Sequence, residues 1–409
     1  MAELAIDRER LVEWASRAIG TPSFTGSEQA MAELMAETFG EMGVGVQWQQ
    51  VEDGRANVLG IRGGAGGGPS LMLNGHMDTS YSGQESWLRH VPGFQPRAFV
   101  EDGRLYGLGI SNMKGALACY VEALRALDDA GVRLRGDLLV AAVAGEIEKA
   151  QRADAEGGEF RGYAAGTRHL VTHGGVADMC ILGEPTESKL VVGHFGSLWL
   201  RIGVRGHFIH TAFSEGTRDR NSILRMREVL DAVLDWIPSW ENDPENAYRG
   251  VGALVNVGAI EGGFGWRVSR TPHRTDLFLD VRVPPTKEMA AARAQVLELV
   301  RDLAERFPDY AVDGEVYVTA PGAEIAEDHP LVGALESAHE EVFGSRPQRD
   351  VTRWFSDASV LTRYGIPTIN YGTSTGLLDT EQGENLEIDG LARTAEVYAR
   401  AAMAVCGVA

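Results

Sequence analysis

The sequence of 409 residues predicts an α/β protein that is interrupted by a smaller α+β domain. Up to about residue 190, and again after Pro321, short and continuously apolar runs alternate with amphipathic helical patterns. Such runs are typical of the buried strands of a doubly wound sheet. Between these two parts the predicted elements follow the order β-α-β-β-α-β, which favours a two-layer domain with a four-stranded antiparallel sheet.

The larger domain contains a regular series of elements. Its first helix, at about 7–18, has apolar residues recurring on one face. Thr25 and Glu28 form a capping-box pattern, which predicts that a second helix follows at about 27–42. The other elements are recognised by the same patterns. Strands are predicted near residues 57, 71, 138 and 179, and helices at about 115–130, 330–343 and 389–405.

The interrupting domain is predicted most clearly by the segment TDLFLDVRV, at 275–283. Its alternation predicts a strand with one apolar face, formed by Leu277, Leu279, Val281 and Val283. Further strands are predicted on both sides of this segment, and helices at about 221–237 and 287–306 complete the domain.

Charge and cysteine content exclude several classes of protein. The chain has 38 basic and 58 acidic residues, a net charge of −20, which argues against a general binder of nucleic acid or anionic membranes. Neither a signal-peptide pattern nor an apolar run long enough to span a bilayer is recognised. Cys119, Cys180 and Cys406 lie in apolar surroundings, so we expect buried thiols and a cytoplasmic protein.

Three predicted strands end in residues that bind metals. His76 and Asp78 follow the strand near 71, Glu146 and Glu148 follow the strand near 138, and Glu184 follows the strand near 179. Taken singly, each is explained as a solvated or hydrogen-bonded residue. Together, at the carboxyl ends of strands in one sheet, an imidazole and several carboxylates favour a divalent ion such as zinc or manganese.

Several ordered motifs resemble one family of metallopeptidases and deacylases, which includes acetylornithine deacetylase, succinyl-diaminopimelate desuccinylase, aminoacylase and the glutamate carboxypeptidases. The resemblance covers nearly the whole chain. It is carried by GHMD (75–78), GLGISNMKGALA (107–118), GEPTE (183–187), GHFIHT (206–211), DLFLDVRVPP (276–285) and SDAS (356–359).

This resemblance implies a zinc-peptidase-like catalytic domain with a mixed sheet, formed by residues 1–191 and 319–409. It also implies that residues 192–318 form an inserted ferredoxin-like domain that acts as a lid and carries the contact of a homodimer.

The sequence departs from the family at three positions of the metal site. Asn112 stands where the family has an Asp that bridges two metals, Gly145 stands at the general base, and Thr380 replaces the last His ligand. One of the two family sites is therefore dismantled. The other, formed by His76 and Glu184 with Asn112 or Asp78, is largely retained, which implies a single ion of manganese or zinc.

The remaining carboxylates and one histidine are the candidates for catalysis. Glu146 is either a metal ligand or the general base, and Glu148 is the second candidate base, although an ion pair with Lys149 or a nearby Arg explains it equally well. The resemblance implies that Asp78 orients the His76 ring. It also implies that His210 reaches the partner subunit's active site and stabilises negative charge; a solvated position on the lid is the alternative.

The segment EGGFGWRVSRTPHR (261–274) stands where the family has an Asn that reaches the substrate. It offers a cluster of side chains for a carboxylate, namely Trp266, Arg267, Arg270, His273 and Arg274. Arg267 is the first candidate, against the alternative of a solvated basic loop. Trp354 and Phe355 either line a substrate pocket or belong to the core.

Three functions remain open from the sequence. The first is a single-metal hydrolase that cleaves a C–N bond of a small carboxylated substrate; the motifs most resemble the branch typified by 5-nitroanthranilate aminohydrolase, which displaces an aromatic amine with water. The second is a two-metal amidohydrolase with replacement ligands from Glu148, Asp379 or Glu381. The third is a metal-free descendant that binds a small molecule or catalyses a non-hydrolytic step.

Overall fold

The computed structural model describes residues 4–152, 155–373 and 381–409. The chain divides into two compact units. The larger unit comprises Met1–Val192, Glu324–Asp350 and Ser356–Ala409, and the smaller unit comprises Gly193–Ala323 and Val351–Phe355. The chain therefore passes from one unit to the other four times.

The helices and strands are numbered in chain order. The helices are α1 (Arg8–Ile19), α2 (Gln29–Glu41), α3 (Gly115–Asp129), α4 (Ala165–Thr172), α5 (Ser222–Glu241), α6 (Met289–Arg306), α7 (Pro330–Phe343), α8 (Ala358–Arg363) and α9 (Ile388–Cys406). The strands are β1 (Gly45–Glu52), β2 (Arg55–Arg62), β3 (Leu71–His76), β4 (Phe99–Glu101), β5 (Arg104–Tyr106), β6 (Leu138–Val143), β7 (Met179–Leu182), β8 (Leu190–His194), β9 (Gly196–Arg205), β10 (Ala247–Tyr248), β11 (Val251–Gly252), β12 (Val255–Gly262), β13 (Arg274–Val283), β14 (Asp313–Ala320), β15 (Ala323–Glu324), β16 (Arg349–Thr352), β17 (Thr368–Asn370) and β18 (Asn385–Glu387).

Among the described residues, nine strands form one mixed sheet that belongs mainly to the larger unit, which confirms the predicted fold class. Its order is β1-β2-β6-β3-β7-β17-β8-β15, with β16 beside β8. The central strands β6, β3, β7 and β17 are parallel, so their carboxyl ends meet at the same edge. These strands are almost entirely buried, which explains their continuously apolar sequences.

The smaller unit contains a four-stranded antiparallel sheet in the order β12-β13-β9-β14. Its elements follow one another as β9-α5-β12-β13-α6-β14, the order that the sequence predicts, with the short β10–β11 hairpin added after α5. The alternation in β13 is confirmed, because its apolar residues are buried against α5 and α6 in one core. These residues are Leu277, Leu279, Val281 and Val283.

One local prediction was wrong, since Thr25 and Glu28 do not form a capping box. Glu28 itself precedes α2, and its side chain makes no capping hydrogen bond. Its carboxylate accepts hydrogen bonds from Nε and Nη2 of the buried Arg55, at 2.8 and 2.7 Å, and a guanidinium is a stronger partner than a backbone N–H. Thr25 instead donates through Oγ1 to Oδ2 of Asp78, at 3.0 Å.

The predicted state of the cysteines is confirmed. Cys119, Cys180 and Cys406 are all buried, and none forms a disulfide. Burial raises the pKa of each thiol above its ordinary value, so all three remain protonated at neutral pH.

Each helix of the described residues is either too short or too polar to span a membrane.

Candidate metal centre

Three of the predicted ligands come together at the carboxyl edge of the central strands. His76 is the last residue of β3, while Glu146 and Glu184 lie in the turns that follow β6 and β7. One ligand atom from each lies within 4.8 Å of the other two. The three residues are only 1, 5 and 4% exposed, respectively. We call these three residues the metal cluster.

The hydrogen bonds of His76 fix which ring nitrogen is free to bind a metal. Nδ1 lies 2.9 Å from the backbone carbonyl oxygen of Asp78, which can only accept, so Nδ1 carries the proton. In the neutral ring Nε2 is then an acceptor, which is the form that binds a metal. Nε2 faces Glu146, with Oε2 at 3.9 Å, and the side-chain amide of Asn112, whose Oδ1 position lies 2.8 Å away. An amide in the opposite orientation would donate its NH₂ group to Nε2.

The carboxylate of Asp78 organises the turn that carries Glu146. Oδ1 accepts from the backbone N–H of Glu146 at 3.1 Å, and Oδ2 accepts from the backbone N–H of Ile147 at 3.3 Å. Oδ1 is also 3.6 Å from Nδ1 of His76, farther away than the backbone carbonyl of the same residue. The backbone carbonyl of Asp78 therefore positions the His76 ring, and its carboxylate positions the turn that carries Glu146.

Glu146 and Glu184 lie in surroundings that disfavour their charged forms. Burial raises the pKa of Glu146 well above its ordinary value, and the carboxylates of Glu184, Asp357, Asp78 and Glu148 raise it further. Burial also raises the pKa of Glu184 well above its ordinary value, with Asp357 the strongest of the charges that add to the effect. Without a cation, these surroundings favour the protonated forms of both acidic groups.

A divalent ion fits this set of donors. Oε1 of Glu184 is buried and accepts no hydrogen bond within the described part of the chain. A buried carboxylate oxygen without a partner is rare and costly in a folded protein. An imidazole nitrogen and carboxylate oxygens are also among the protein ligands that bind zinc. A cation bound by Nε2 of His76 and by Glu184 would satisfy the orphaned oxygen and neutralise the crowded carboxylates.

Asn112 is held close to His76 by a residue that the sequence did not single out. Asn112 lies in the turn Ile110–Lys114 that precedes α3. Oε2 of the buried Glu384 accepts from the backbone N–H of Ser111 at 3.0 Å and of Asn112 at 3.4 Å. Burial raises the pKa of Glu384 to about 7, and these backbone hydrogen bonds oppose the effect. No family motif drew attention to Glu384, and its partners are far away in the sequence.

Glu148 lies outside the metal cluster, although its charge raises the pKa of both Glu146 and Glu184. A hydrogen-bonded pair with Lys149 is not formed, because Nζ of Lys149 has no hydrogen-bond partner among the described residues. Nζ of Lys149 instead lies 3.7 Å from the centre of the Phe24 ring, a cation–π contact. Burial lowers the pKa of Lys149 to about 8.

His210, Arg267 and Trp354 belong to the smaller unit. Nδ1 of His210 accepts from the backbone N–H of Ala212 at 3.1 Å, and Arg267 is exposed in the loop between β12 and β13. Trp354 is stacked on the buried His194, with 6.2 Å between ring centres, and it lines a pocket of about 260 Å³ with Arg282. The roles of these residues remain predictions.

Arg274, unlike the exposed Arg267, forms ion pairs with two carboxylates. Its Nε donates to both carboxylate oxygens of Asp276, at 3.0 and 2.9 Å, and its Nη1 and Nη2 donate to Asp313. The contacts with Asp313 connect β13 to β14, so these ion pairs give Arg274 a structural role. Two predicted positions, Thr380 and the replacement ligand Asp379, lie outside the described residues.

The chain is similar to known hydrolases over most of its length. A model of Peptidase family M20/M25/M40 matches residues 72–404. The succinyl-diaminopimelate desuccinylase of Alkalilimnicola ehrlichii is 29% identical over 408 residues, covering 94% of this chain and 97% of the relative. The acetylornithine deacetylase of Vibrio vulnificus is 27% identical over 401 residues, covering 97% of both chains.

A solved structure shares the fold at lower identity. The aminopeptidase PepT of Bacillus cereus matches with a TM-score of 0.75 and 21% identity, over 98% of this chain and 99% of that chain. At this identity the likeness supports the fold alone.

Proposed function

Because this chain belongs to Peptidase family M20/M25/M40, as its motifs indicated, we propose that it hydrolyses a C–N bond of a small carboxylated substrate. Members of the family are metal-dependent hydrolases that act on amide bonds. The proposed bond is an amide or an aryl amine, and the proposed cofactor is one tightly held ion of manganese or zinc. The observation that carries the proposal is the buried metal cluster of His76, Glu146 and Glu184.

The ion would be held by His76 and Glu184, with Glu146 and Asn112 beside it. When bound, it would polarise the group under attack and lower the pKa of a water molecule. Two features of the chain prepare this site. The Asp78 carbonyl holds the His76 ring in the tautomer that leaves Nε2 free, and the Asp78 carboxylate fixes the turn that presents Glu146.

Glu146 is the proposed general base. It takes a proton from the attacking water and returns it to the leaving nitrogen. Burial raises its pKa well above the ordinary value, which suits a carboxyl group that must hold a proton between two steps. Glu148 is the second candidate, because it lies outside the metal cluster and close enough for its charge to act on Glu146.

The proposal of a carboxylated substrate is supported from two sides. The named substrates of the two curated relatives, succinyl-diaminopimelate and acetylornithine, both carry carboxylates. In the smaller unit Arg267 is exposed, and Nε of Arg270 is buried without a hydrogen-bond partner among the described residues. A guanidinium with unused donors is suited to a carboxylate. Trp354 is proposed to contact the rest of the substrate.

We also propose a cytoplasmic homodimer in which His210 contributes to catalysis across the subunit contact. The three free and buried thiols are consistent with a reducing compartment. The smaller unit exposes several large apolar side chains on α5 and on or beside the edge strand β12, and exposed apolar side chains are typical of protein contacts. These are Ile223, Leu224, Leu234, Leu254 and Ile260. Light scattering on the wild type, compared with Leu234→Glu, tests the dimer; a monomeric wild type would contradict it.

Metal analysis combined with kinetics tests the proposed function. We expect protein purified without chelator to hold a divalent ion, and we expect His76→Ala to lose both the ion and the hydrolysis of N-acyl amino acids and aromatic amines. If Glu146 is the base, Glu146→Gln should retain the ion and lose activity. If Glu146 is a metal ligand, the same variant should lose the ion. If only Glu148→Gln retains the ion and loses activity, Glu148 is the base. A chain that binds no ion under any loading condition would overturn the proposal.

A further inference from the structure

His169 and His173 form a pair of imidazoles outside the metal cluster, in the segment HLVTH (169–173). His169 lies in the last turn of α4, and His173 is the residue that follows this helix. Residues four positions apart lie on the same side of a helix, one turn from each other. Leu170 and Val171 are the buried residues of this turn, while His169 is half-buried and His173 is exposed. The pair therefore lies at the surface of the larger unit.

The two imidazole rings are stacked against each other. Their centres are 3.7 Å apart, and their planes differ by only 7°. Two nitrogen ligands of a tetrahedral zinc ion, each at about 2.1 Å from it, are about 3.4 Å apart. The torsion that turns an imidazole ring has broad energy wells, so a modest rotation of the exposed His173 ring can direct both rings toward one ion. The spacing of the pair is thus close to the spacing that zinc requires.

A hydrogen bond fixes the tautomer of His173. Its Nδ1 lies 2.8 Å from the backbone carbonyl oxygen of His169, which can only accept, so Nδ1 carries the proton. In the neutral ring Nε2 then keeps its lone pair, and backbone carbonyls often orient metal-binding histidines in this way. Burial lowers the pKa of His169, and the charge of His173 lowers it further, which favours the neutral form that binds metals.

The end of α4 also favours a positive ion. The C-terminus of a helix carries a partial negative charge, because its last carbonyl groups have no partner within the helix. His169 and His173 belong to this last turn and its cap. A cation held by the two rings would therefore be stabilised by the helix as well as by its ligands.

We propose that His169 and His173 bind a zinc ion at the surface of the larger unit, with water at its remaining positions. Two histidines four residues apart on a helix are a known arrangement for binding zinc, and imidazole is a ligand that suits this ion. The ion would connect the residue after α4 to the last turn of the helix and so stabilise the helix end. The site uses no residue of the metal cluster, so the inference goes beyond the proposed function and does not depend on it.

Zinc titration of the full-length protein tests this inference without measuring activity. Chelator-stripped protein is titrated with Zn²⁺ by calorimetry, and the bound zinc is counted by elemental analysis. We expect two ions in the wild type and one, more weakly held, in His76→Ala, which lacks a ligand of the metal cluster. His169→Asn or His173→Asn should reduce the wild type to one ion. Added to His76→Ala, either should weaken the remaining binding by about 10²-fold, because two linked ligands bind far more tightly than one.

A matched variant and a spectroscopic measurement guard against non-specific effects. His90 is exposed, and neither Ser86 nor Phe94, four residues away on each side, can pair with it as a ligand. His90→Asn in the His76→Ala protein should therefore bind zinc unchanged. Cu²⁺ binds such sites more tightly than Zn²⁺, so electron paramagnetic resonance of the Cu²⁺ form should show two imidazole nitrogens, and only one after His169→Asn. Thermal unfolding of each stripped variant checks that it is folded before it is titrated.

The possible results separate this inference from the proposed function. One zinc ion in the wild type and none in folded His76→Ala would overturn the histidine-pair site and leave the proposed function intact. Zinc binding to His76→Ala that neither His169→Asn nor His173→Asn weakens would overturn the assignment to this pair. One ion that is lost in His169→Asn and kept in His76→Ala would support the pair and overturn the proposed metal cluster. A wild type that binds no zinc would overturn the histidine-pair site.

Discussion

Two groups of buried or partly buried carboxylates in the larger unit differ in the basic groups that lie beside them. In the arginine cluster, formed by Glu28, Glu52, Arg55 and Arg161, each carboxylate faces a guanidinium. Arg55 is itself fully buried, and burial raises the pKa of Glu28 while the hydrogen bonds from Arg55 oppose the effect. In the metal cluster the basic group beside a carboxylate is an imidazole, because Nε2 of His76 lies 3.9 Å from Oε2 of Glu146.

The difference shows how a buried acidic group is assigned to structure or to function. Asp78 adds to the pKa shifts of both Glu28 and Glu146, so the two clusters share one acidic neighbour. The fold supplies the counter-charge in the arginine cluster, so removal of Arg55 would leave a buried carboxylate without its partner. Among the described residues, Oε1 of Glu184 has no hydrogen-bond donor, and this missing partner is the physical argument for a bound cation.

Removal of a ligand from the metal cluster should have the largest effect on activity. Glu184→Gln is expected to lower kcat/KM by about 10³-fold or more, because the ion supplies several kcal/mol of transition-state stabilisation. The same variant should not lower the stability of the metal-free protein, since it removes an uncompensated carboxylate. Kinetics and urea unfolding of the stripped protein measure the two effects; a large loss of stability would show that Glu184 is structural.

Removal of the guanidinium from the arginine cluster should have the opposite pattern. Arg55→Met leaves Glu28 buried without a partner, and we expect a loss of about 3–5 kcal/mol in the free energy of unfolding. The double variant with Glu28→Gln should recover much of this loss. Metal stoichiometry should be unchanged wherever the variant is folded, and loss of the ion from folded Arg55→Met would contradict the separation of the clusters.

The pH dependence of metal binding sharpens the comparison. Burial raises the pKa of Glu146 and Glu184 well above the ordinary value and that of Asp357 to about 7, so the metal-free native state holds protons that the unfolded chain has lost. Its stability should therefore fall as pH rises from about 4.5 through 7. Metal binding releases these protons, so affinity should increase by about tenfold per pH unit for each proton released. Titrations in buffers of different ionisation enthalpy measure the proton count, and affinity that does not vary between pH 5 and 7 would contradict this account.

The smallest effect is expected at the outer end of the arginine cluster. Glu52 is only partly buried, at 25% exposure of its side chain, and it pairs with Arg55 and Arg161. Its pKa is lowered, because the hydrogen bonds of these two guanidiniums outweigh its burial. Glu52→Gln should cost about 1 kcal/mol or less. A larger loss in the free energy of unfolding, measured with urea, would show that Glu52 stabilises the buried Arg55 as much as Glu28 does.

The sequence predicted most of the fold, because the apolar residues of most elements are the residues that are buried in the structure. The apolar face of β13 and the buried runs of β3, β6 and β7 are examples. The edge strand β1 was missed, since its residues are largely exposed and carry no clear alternation of burial. Thr25 and Glu28 were misinterpreted because their true partners, Asp78 and Arg55, are distant in sequence.

The sequence predicted the part of the candidate site whose ligands come directly after strands, because the carboxyl ends of these strands meet at one edge of the sheet. His76, Glu146 and Glu184 share this feature and could be found by it. Asp357 and Glu384 were not assigned a role, because each acts through contacts that only the tertiary structure creates. Glu384, for example, reaches the backbone of Ser111 from the C-terminal part of the chain. In the smaller unit, His210 was named from family resemblance, and Arg267 and Trp354 from the chemistry of their side chains; the roles of all three remain predictions.

The place of β17 in the large sheet has a consequence for how the protein is made. β17 lies between β7 and β8, although more than 170 residues separate it from each of them along the chain. During synthesis the strand that leads to Glu184 gains its second neighbour only after residue 370 has left the ribosome. Because non-local pairing is slow, we expect the β17 side of β7 to stay unpaired in nascent chains until translation is nearly complete.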